Sequence, residues 1–196
     1  NRWYDFLLPQ TVGNQRGLDY GCGIGLEALQ YSGNGNRVWV ADIVPDNLKV
    51  ARRLFELSDE TLEGAFGIRE QSPFLLHVWT EPLNIIHCAG VLHHIPNPRE
   101  VVEQMHGWLP DSGVLRLMLY SDHAWRMATG TEPPRDTPTH EHPDFLKFVH
   151  HWDAVGGYAD WYDVEKLRHR FGQWFKILRY QPLTANGAYV GAVLVE

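Results

Sequence analysis

The chain has 196 residues, a length that suits one domain and allows a buried core of two or three layers. Apolar residues make up 44% and charged residues 21%, as in ordinary globular proteins and unlike disordered or fibrous ones. Seventeen Lys and Arg against 24 Asp and Glu leave a net charge of -7, which argues against a nucleic-acid or anionic-membrane partner, and no apolar run approaches the roughly 20 residues of a membrane helix.

The pattern predicts a helix end over Trp3 to Leu8 and a loop over Pro9 to Asn14. Gly17 to Tyr20 reads as a short strand that runs into a glycine cluster, and Leu26 to Tyr31 as helical. Arg37 to Ala41 is apolar and β-branched, a buried strand that Asp42 ends. Pro45 to Leu57 follows as a helix with Leu48, Ala51, Leu54 and Phe55 on one face. Phe74 to Trp79 is the expected third strand and Leu83 to Cys88 the fourth. Val101, Val102, Met105 and Trp108 mark a helix over Pro98 to Leu109. A turn at Pro110 to Gly113 precedes a fifth strand, Val114 to Tyr120. After a helix over Asp163 to Phe171, Phe175 to Leu183 and Ala188 to Val195 form strands joined by the hairpin signal Thr184-Ala185-Asn186-Gly187.

Strands alternating with helices imply an α/β three-layer sandwich on a mostly parallel seven-stranded sheet. The C-terminal hairpin contributes its one antiparallel strand. Residues 1–196 are expected to be a single domain. Within it, Ser121 to Tyr162 shows no clear period, and residues 122–160 are expected to be an insertion, or lid, over the active site. Cys22 and Cys88 make no disulfide framework, so both are expected as reduced thiols in a cytoplasmic protein without a signal peptide. The chain opens on Asn1-Arg2-Trp3 rather than Met, as a trimmed piece of a longer protein would.

Chemistry concentrates in Asp19-Tyr20-Gly21-Cys22-Gly23-Ile24-Gly25, between a strand and a helix, where glycines let backbone turn sharply and approach a ligand. Asp42 comes 17 residues after Gly25 at the end of the second strand, where an acid can accept from both hydroxyls of a ribose or can cap the helix that begins at Pro45. The third glycine of a dinucleotide fingerprint is replaced by Leu26, and Asp19 would repel a pyrophosphate while suiting an ammonium or a sulfonium.

These residues resemble the first motif of the class I S-adenosylmethionine-dependent methyltransferases. Val40-Ala41-Asp42-Ile43 resembles the end of that family's second strand. Leu83 to Pro96 is similar to its fourth-strand motif, and Leu109 to Gly113 to its turn before strand five. The resemblance is strong over residues 17–121, topological over 163–196 and absent over 122–160. It implies a Rossmann-like fold, S-adenosylmethionine as cofactor and methyl transfer to a small-molecule acceptor, with an O-, N- or C-nucleophile. The cofactor-binding set it implies is Asp19, Gly21, Cys22, Gly23, Asp42, Ile43, Cys88 and Ala89. In that set Asp42 takes the ribose, Ile43 the adenine, and the backbone of Cys88 and Ala89 the methionine side. The family's acid after strand three has no clear counterpart, since the segment between strands three and four is almost missing; Thr80 and Glu81 are weak candidates. Neither Asn/Asp-Pro-Pro-aromatic motif nor basic charge points to nucleic-acid methylation.

Methyl transfer from a sulfonium needs in-line positioning, and a base only if the nucleophile carries a proton. His94, after strand four, and His123, after strand five, are the candidate bases; for the His93-His94 pair a purely structural turn is the competing reading. The pairs His140/His142 and His150/His151 suggest a solvated loop more than metal ligands, and no metal is expected. Trp125, Phe145, Phe148, Trp152, Tyr158, Trp161 and Tyr162 offer either a satellite core or an aromatic-lined pocket for an apolar or cationic molecule. Two other functions stay open at this point: a non-catalytic cofactor-binding module of a longer protein, and a different group transfer on the same fold.

Overall fold

The computed structural model describes residues 13–68, 81–152 and 157–196. Seven strands form one sheet in the order β3-β2-β1-β4-β5-β7-β6. They are β1 (Arg16–Tyr20), β2 (Arg37–Asp42), β3 (Leu62–Gly67), β4 (Ile85–Ala89), β5 (Val114–Tyr120), β6 (Lys176–Pro182) and β7 (Tyr189–Val195). β1 to β5 pair in parallel, while β7 runs antiparallel to both β5 and β6. This is the Rossmann-like sandwich with its one antiparallel strand. Six helices accompany the sheet among the described residues: α1 (Leu26–Ser32), α2 (Pro45–Leu57), α3 (Pro98–Trp108), α4 (Asp122–Thr129), α5 (Phe145–His151) and α6 (Val164–Phe171).

The central strands are apolar on both sides because helices cover both faces. Leu18, Ile86, Leu117 and Ala192 enter the larger core with Val102 and Met105 of α3 and with Leu167 and Phe171 of α6. On the other face Val38, Val40 and Ile85 meet Ala28 and Tyr31 of α1 and Leu48, Ala51 and Phe55 of α2. Pro stands at the start of α2 and of α3, where its missing N–H costs no hydrogen bond.

Two expectations are corrected. The strand beside β2 is Leu62–Gly67, not Phe74 to Trp79, a stretch that lies outside the described residues. Residues 68–84 therefore separate β3 from β4, and the connection thought almost missing is present. The strand escapes a propensity reading because Leu62-Glu63-Gly64-Ala65-Phe66-Gly67 holds two glycines and an acid. Gly64 is required by crowding: a Cβ there would come within 3.0 Å of the rings of Phe66 and Trp39. Second, the supposedly aperiodic insertion carries α4 and α5. The hydroxyl of Ser121 caps α4 by accepting from the Ala124 N–H at 2.9 Å. Trp125, Phe148 and Trp161 are fully buried in a separate core with Tyr120, Ala124 and Val149. Most of the insertion's aromatic rings thus make a satellite core. The helix expected over Trp3 to Leu8 lies outside the described residues.

Candidate functional site

The site sits at the carboxyl ends of β1, β2 and β4, where open parallel sheets present their ligand crevice. β1 delivers the chain into a turn in which Gly21 and Gly23 adopt φ of +77° and +53°. At Gly21 the space is also closed, since a Cβ would lie 2.1 Å from Val91 Cγ2 in the turn after β4. At Gly23 a Cβ would meet nothing within 4 Å, so its outer face is open to a ligand.

Asp42 ties this turn to β2. Its Oδ2 accepts from the Gly23 N–H at 2.8 Å, and its Oδ1 accepts from the Val44 N–H at 2.8 Å and from Asn47 Nδ2 at 3.1 Å. The α2 N-cap position is Val44, so Asp42 is not the cap. A carboxylate can accept about four hydrogen bonds; three are taken here, leaving room for one ribose hydroxyl rather than two. Ile43, 57% exposed, stands free beside it, with Ile24 and Val44 also exposed on the two joined loops and Leu26 at the start of α1.

Asp19 is buried beneath the glycine turn. It accepts from the Ala28 N–H in the first turn of α1, while its Oδ2 has no hydrogen-bond partner among the described residues. Burial, with Glu27 and Asp42 nearby, raises its carboxyl to about 8. In register with it across the sheet stand His87 of β4 and Arg116 of β5. Burial pushes His87 down to about 3 with help from Arg116, and its ring meets the Tyr31 ring edge-on at 5.5 Å. Cys22 and Cys88 are both buried free thiols, held above their ordinary value by desolvation. Cys88 packs in the larger core, and the Cys22 thiol donates to the Gly23 carbonyl.

Beyond β4, His93 and His94 lie in a single 3-10 turn. The His93 ring lies 4.3 Å from that of His94 and 4.0 Å from that of Tyr120 at the end of β5. His94 Nδ1 is 2.9 Å from the Tyr158 carbonyl. A carbonyl only accepts, so in the neutral ring Nδ1 carries the proton and Nε2 the lone pair. His93 is buried, and burial with the neighbouring His94 depresses it well below its ordinary value. His123 is exposed in the first turn of α4 against Gly187 of the β6–β7 turn, outside this group of rings. Tyr158 is one of the rings expected to line a pocket or a satellite core and His93 belongs to the expected His93-His94 pair, whereas Tyr120 is not among the expected site residues. The end of β5 that suggested His123 was also the signal for Tyr120.

The insertion is clamped to this turn: the Asp160 N–H donates to the His93 carbonyl at 2.8 Å. The Asp160 carboxylate, fully buried, pairs with Lys166 and Arg170 of α6 at 2.7 Å each. Beside this network lies a cleft of about 580 Å³ lined by Pro96, Arg99, Arg135, Trp161, Lys166 and Arg170. Arg135 pairs with Asp163 and Glu165, and Arg99 donates to Gln173, so the cleft's cations already have partners. Glu81 pairs with Arg16 at the opposite end of β1, which removes it from the cofactor side; Thr80 lies outside the described residues. Among the described residues no three His, Cys, Asp or Glu side chains converge as a metal site, and no helix is long and apolar enough to cross a membrane.

A family model described as a methyltransferase domain matches residues 1–176. The chain is 33% identical over 101 residues to a ubiquinone biosynthesis O-methyltransferase of Glaesserella parasuis, a match over 50% of this chain and 42% of that protein. The chain thus covers less than half the length of the curated relatives it matches. Among solved structures it is similar to an S-adenosylmethionine-dependent methyltransferase from Clostridium acetobutylicum, with TM-score 0.70, 12% identity, and 99% of this chain and 90% of that chain covered. It also resembles the magnesium protoporphyrin IX methyltransferase of Synechocystis with bound S-adenosylmethionine, with TM-score 0.62, 15% identity and 95% and 72% covered.

Proposed function

The chain belongs to the methyltransferase domain family, and from that premise we propose that it binds S-adenosylmethionine and moves its methyl group to a small-molecule acceptor. The observation that carries this reading is the Asp42 carboxylate, which joins the glycine turn to the end of β2 beneath the open face of Gly23. The donor set suits the cofactor's parts. Asp42 has one lone pair left for a ribose hydroxyl, Ile43 offers an apolar face to adenine, and Asp19 Oδ2 is a buried acceptor for a cation. Gly21 and Gly23 bring backbone close to the ligand, Cys22 shapes the turn between them, and the backbone of Cys88 and Ala89 lines the neighbouring wall.

The bound sulfonium would supply an electrophilic methyl group and a neutral leaving group. The chain's own work is then to hold the acceptor in line, exclude water and, for a hydroxyl or ammonium acceptor, take a proton. His94 suits that last task because the Tyr158 carbonyl fixes its tautomer with Nε2 as the base. His123 is the second candidate, through its place after β5. The insertion over 122–160 closes the acceptor side, and the half-buried Tyr158 gives it an aromatic edge for an apolar or aromatic molecule.

Calorimetric titration with S-adenosylmethionine, with NAD as the control, tests the site. Binding of the first alone supports the reading, and binding of neither removes it. In a methyl-transfer assay with hydroxylated aromatic acceptors, His94→Ala should cut kcat about 100-fold or more with cofactor affinity retained. If His123→Ala carries that loss instead, the base is His123.

A further inference from the structure

We propose that Asp19 is a proton-exchange group: it holds a proton in the ligand-free protein and releases it when a ligand's cationic group enters the glycine pocket. This deepens the cofactor reading and rests on it.

The geometry is that of a carboxyl with nothing positive to face among the described residues. Asp19 is 4% exposed, and its Oδ2 has no partner among the described residues. Glu27 approaches from α1 and Asp42 from β2, both acids. Cys22 of the turn and Cys88 of β4 bring thiols that burial keeps protonated. His87, next to Asp19 on β4, is buried and neutral, so it lends no charge. The nearest cation in the same row is Arg116, two strands away on β5. Among the described residues, the helix amide of Ala28 is the group that favours the anion. A lone carboxylate buried beside two others is costly, so the neutral acid is the resting form.

A ligand cation reverses this balance. The O–H bond of Asp19 breaks, its proton passes to solvent, and the carboxylate pairs with the ligand's ammonium or sulfonium, which keeps its own charge. The pocket therefore selects for positive charge and couples binding to pH. A ligand with the same nucleoside but no ammonium gains nothing from the exchange and leaves the proton in place.

The test is calorimetry at pH 7 in two buffers of different ionisation enthalpy, with S-adenosylhomocysteine and 5′-methylthioadenosine as probes; only the first carries an amino-acid tail. With the Asp19 carboxyl at about 8, S-adenosylhomocysteine should release about 0.9 proton per site. Its affinity should rise nearly tenfold between pH 6 and pH 7, and 5′-methylthioadenosine should release none. Asp19→Asn should abolish the release and flatten the pH dependence. Should that variant fail to fold, carbon NMR titration of the wild-type carboxyls reads the same proton directly, with an Asp resonance titrating near 8 that moves below 5 with S-adenosylhomocysteine bound. Binding of S-adenosylhomocysteine without proton release, equal release by both probes, or release retained in Asp19→Asn would overturn the proposal alone. Failure of both nucleosides to bind at any pH would overturn the cofactor reading with it.

Discussion

Replacing Gly21 and Gly23 by alanine should separate stability from ligand binding, although the two residues are two apart in one turn. Both hold positive φ, so a Cβ costs each about 1–2 kcal/mol in backbone strain. At Gly21 the new methyl would lie 2.1 Å from Val91 Cγ2 and within 3.1 Å of two further Val91 carbons. Relieving that contact means moving a branched side chain in the turn that carries His93 and His94, at about 1–3 kcal/mol. Gly21→Ala should therefore lose about 2–5 kcal/mol of unfolding free energy in urea titrations. Gly23→Ala should lose about 1–2 kcal/mol, because nothing stands within 4 Å of its Cβ. For S-adenosylhomocysteine affinity the cost at Gly23 is the informative one: its methyl fills the open face, and binding should weaken tenfold or more in a variant that remains folded. Adding Val91→Ala to Gly21→Ala should restore the steric share of the lost stability but not the torsional share. Equal destabilisation by the two alanines, or no recovery in the double variant, would refute the reasoning.

Asp42→Asn keeps the shape but loses charge-assisted bonds worth about 1.5–3 kcal/mol each, so S-adenosylhomocysteine affinity should fall at least tenfold in calorimetry; unchanged affinity would remove Asp42 from the ligand. His87 should make the protein sensitive to acid. Its value in the folded state, about 3, lies below its ordinary 6.5, so the unfolded chain binds the extra proton and stability is lost as pH falls through 6.5 towards 3. Between pH 7 and pH 5 that amounts to about 2 kcal/mol. It is read as the change in the stability difference between wild type and His87→Leu, which cancels the opposite trend of Asp19; an unchanged difference would contradict it. Asp160→Asn leaves Lys166 and Arg170 without their buried carboxylate and should destabilise by about 3–5 kcal/mol, measured by urea unfolding. A loss under about 1 kcal/mol would show that the network is not what clamps the insertion.

The glycine turn, the second-strand acid and the helices that follow were legible because each is a local pattern. Glycines before a helix, an acid at a strand end and apolar residues at helical spacing act over a few neighbouring positions. The edge strand Leu62–Gly67 was not legible, because glycine there answers to the rings of Phe66 and Trp39, and Trp39 comes from another strand. The helices of the insertion were hidden for a related reason. Asp122–Thr129 and Phe145–His151 are short and gain their order from a satellite core shared with Tyr120 and Trp161 rather than from their own period.

The site divides in the same way. The sequence by itself placed Asp19, Gly21, Gly23 and Asp42 at strand ends, since strand length and spacing decide that. Only the tertiary structure decided how many lone pairs Asp42 keeps, which nitrogen of His94 faces a carbonyl, and that Asp19 faces acids and thiols with no cation beside it among the described residues. Those properties depend on partners 19 to 69 positions away along the chain, such as Gly23 for Asp42, Tyr158 for His94 and Cys88 for Asp19. Charge and hydrogen bonding fall off over a few ångströms of space, so they belong to the fold and not to the order of residues.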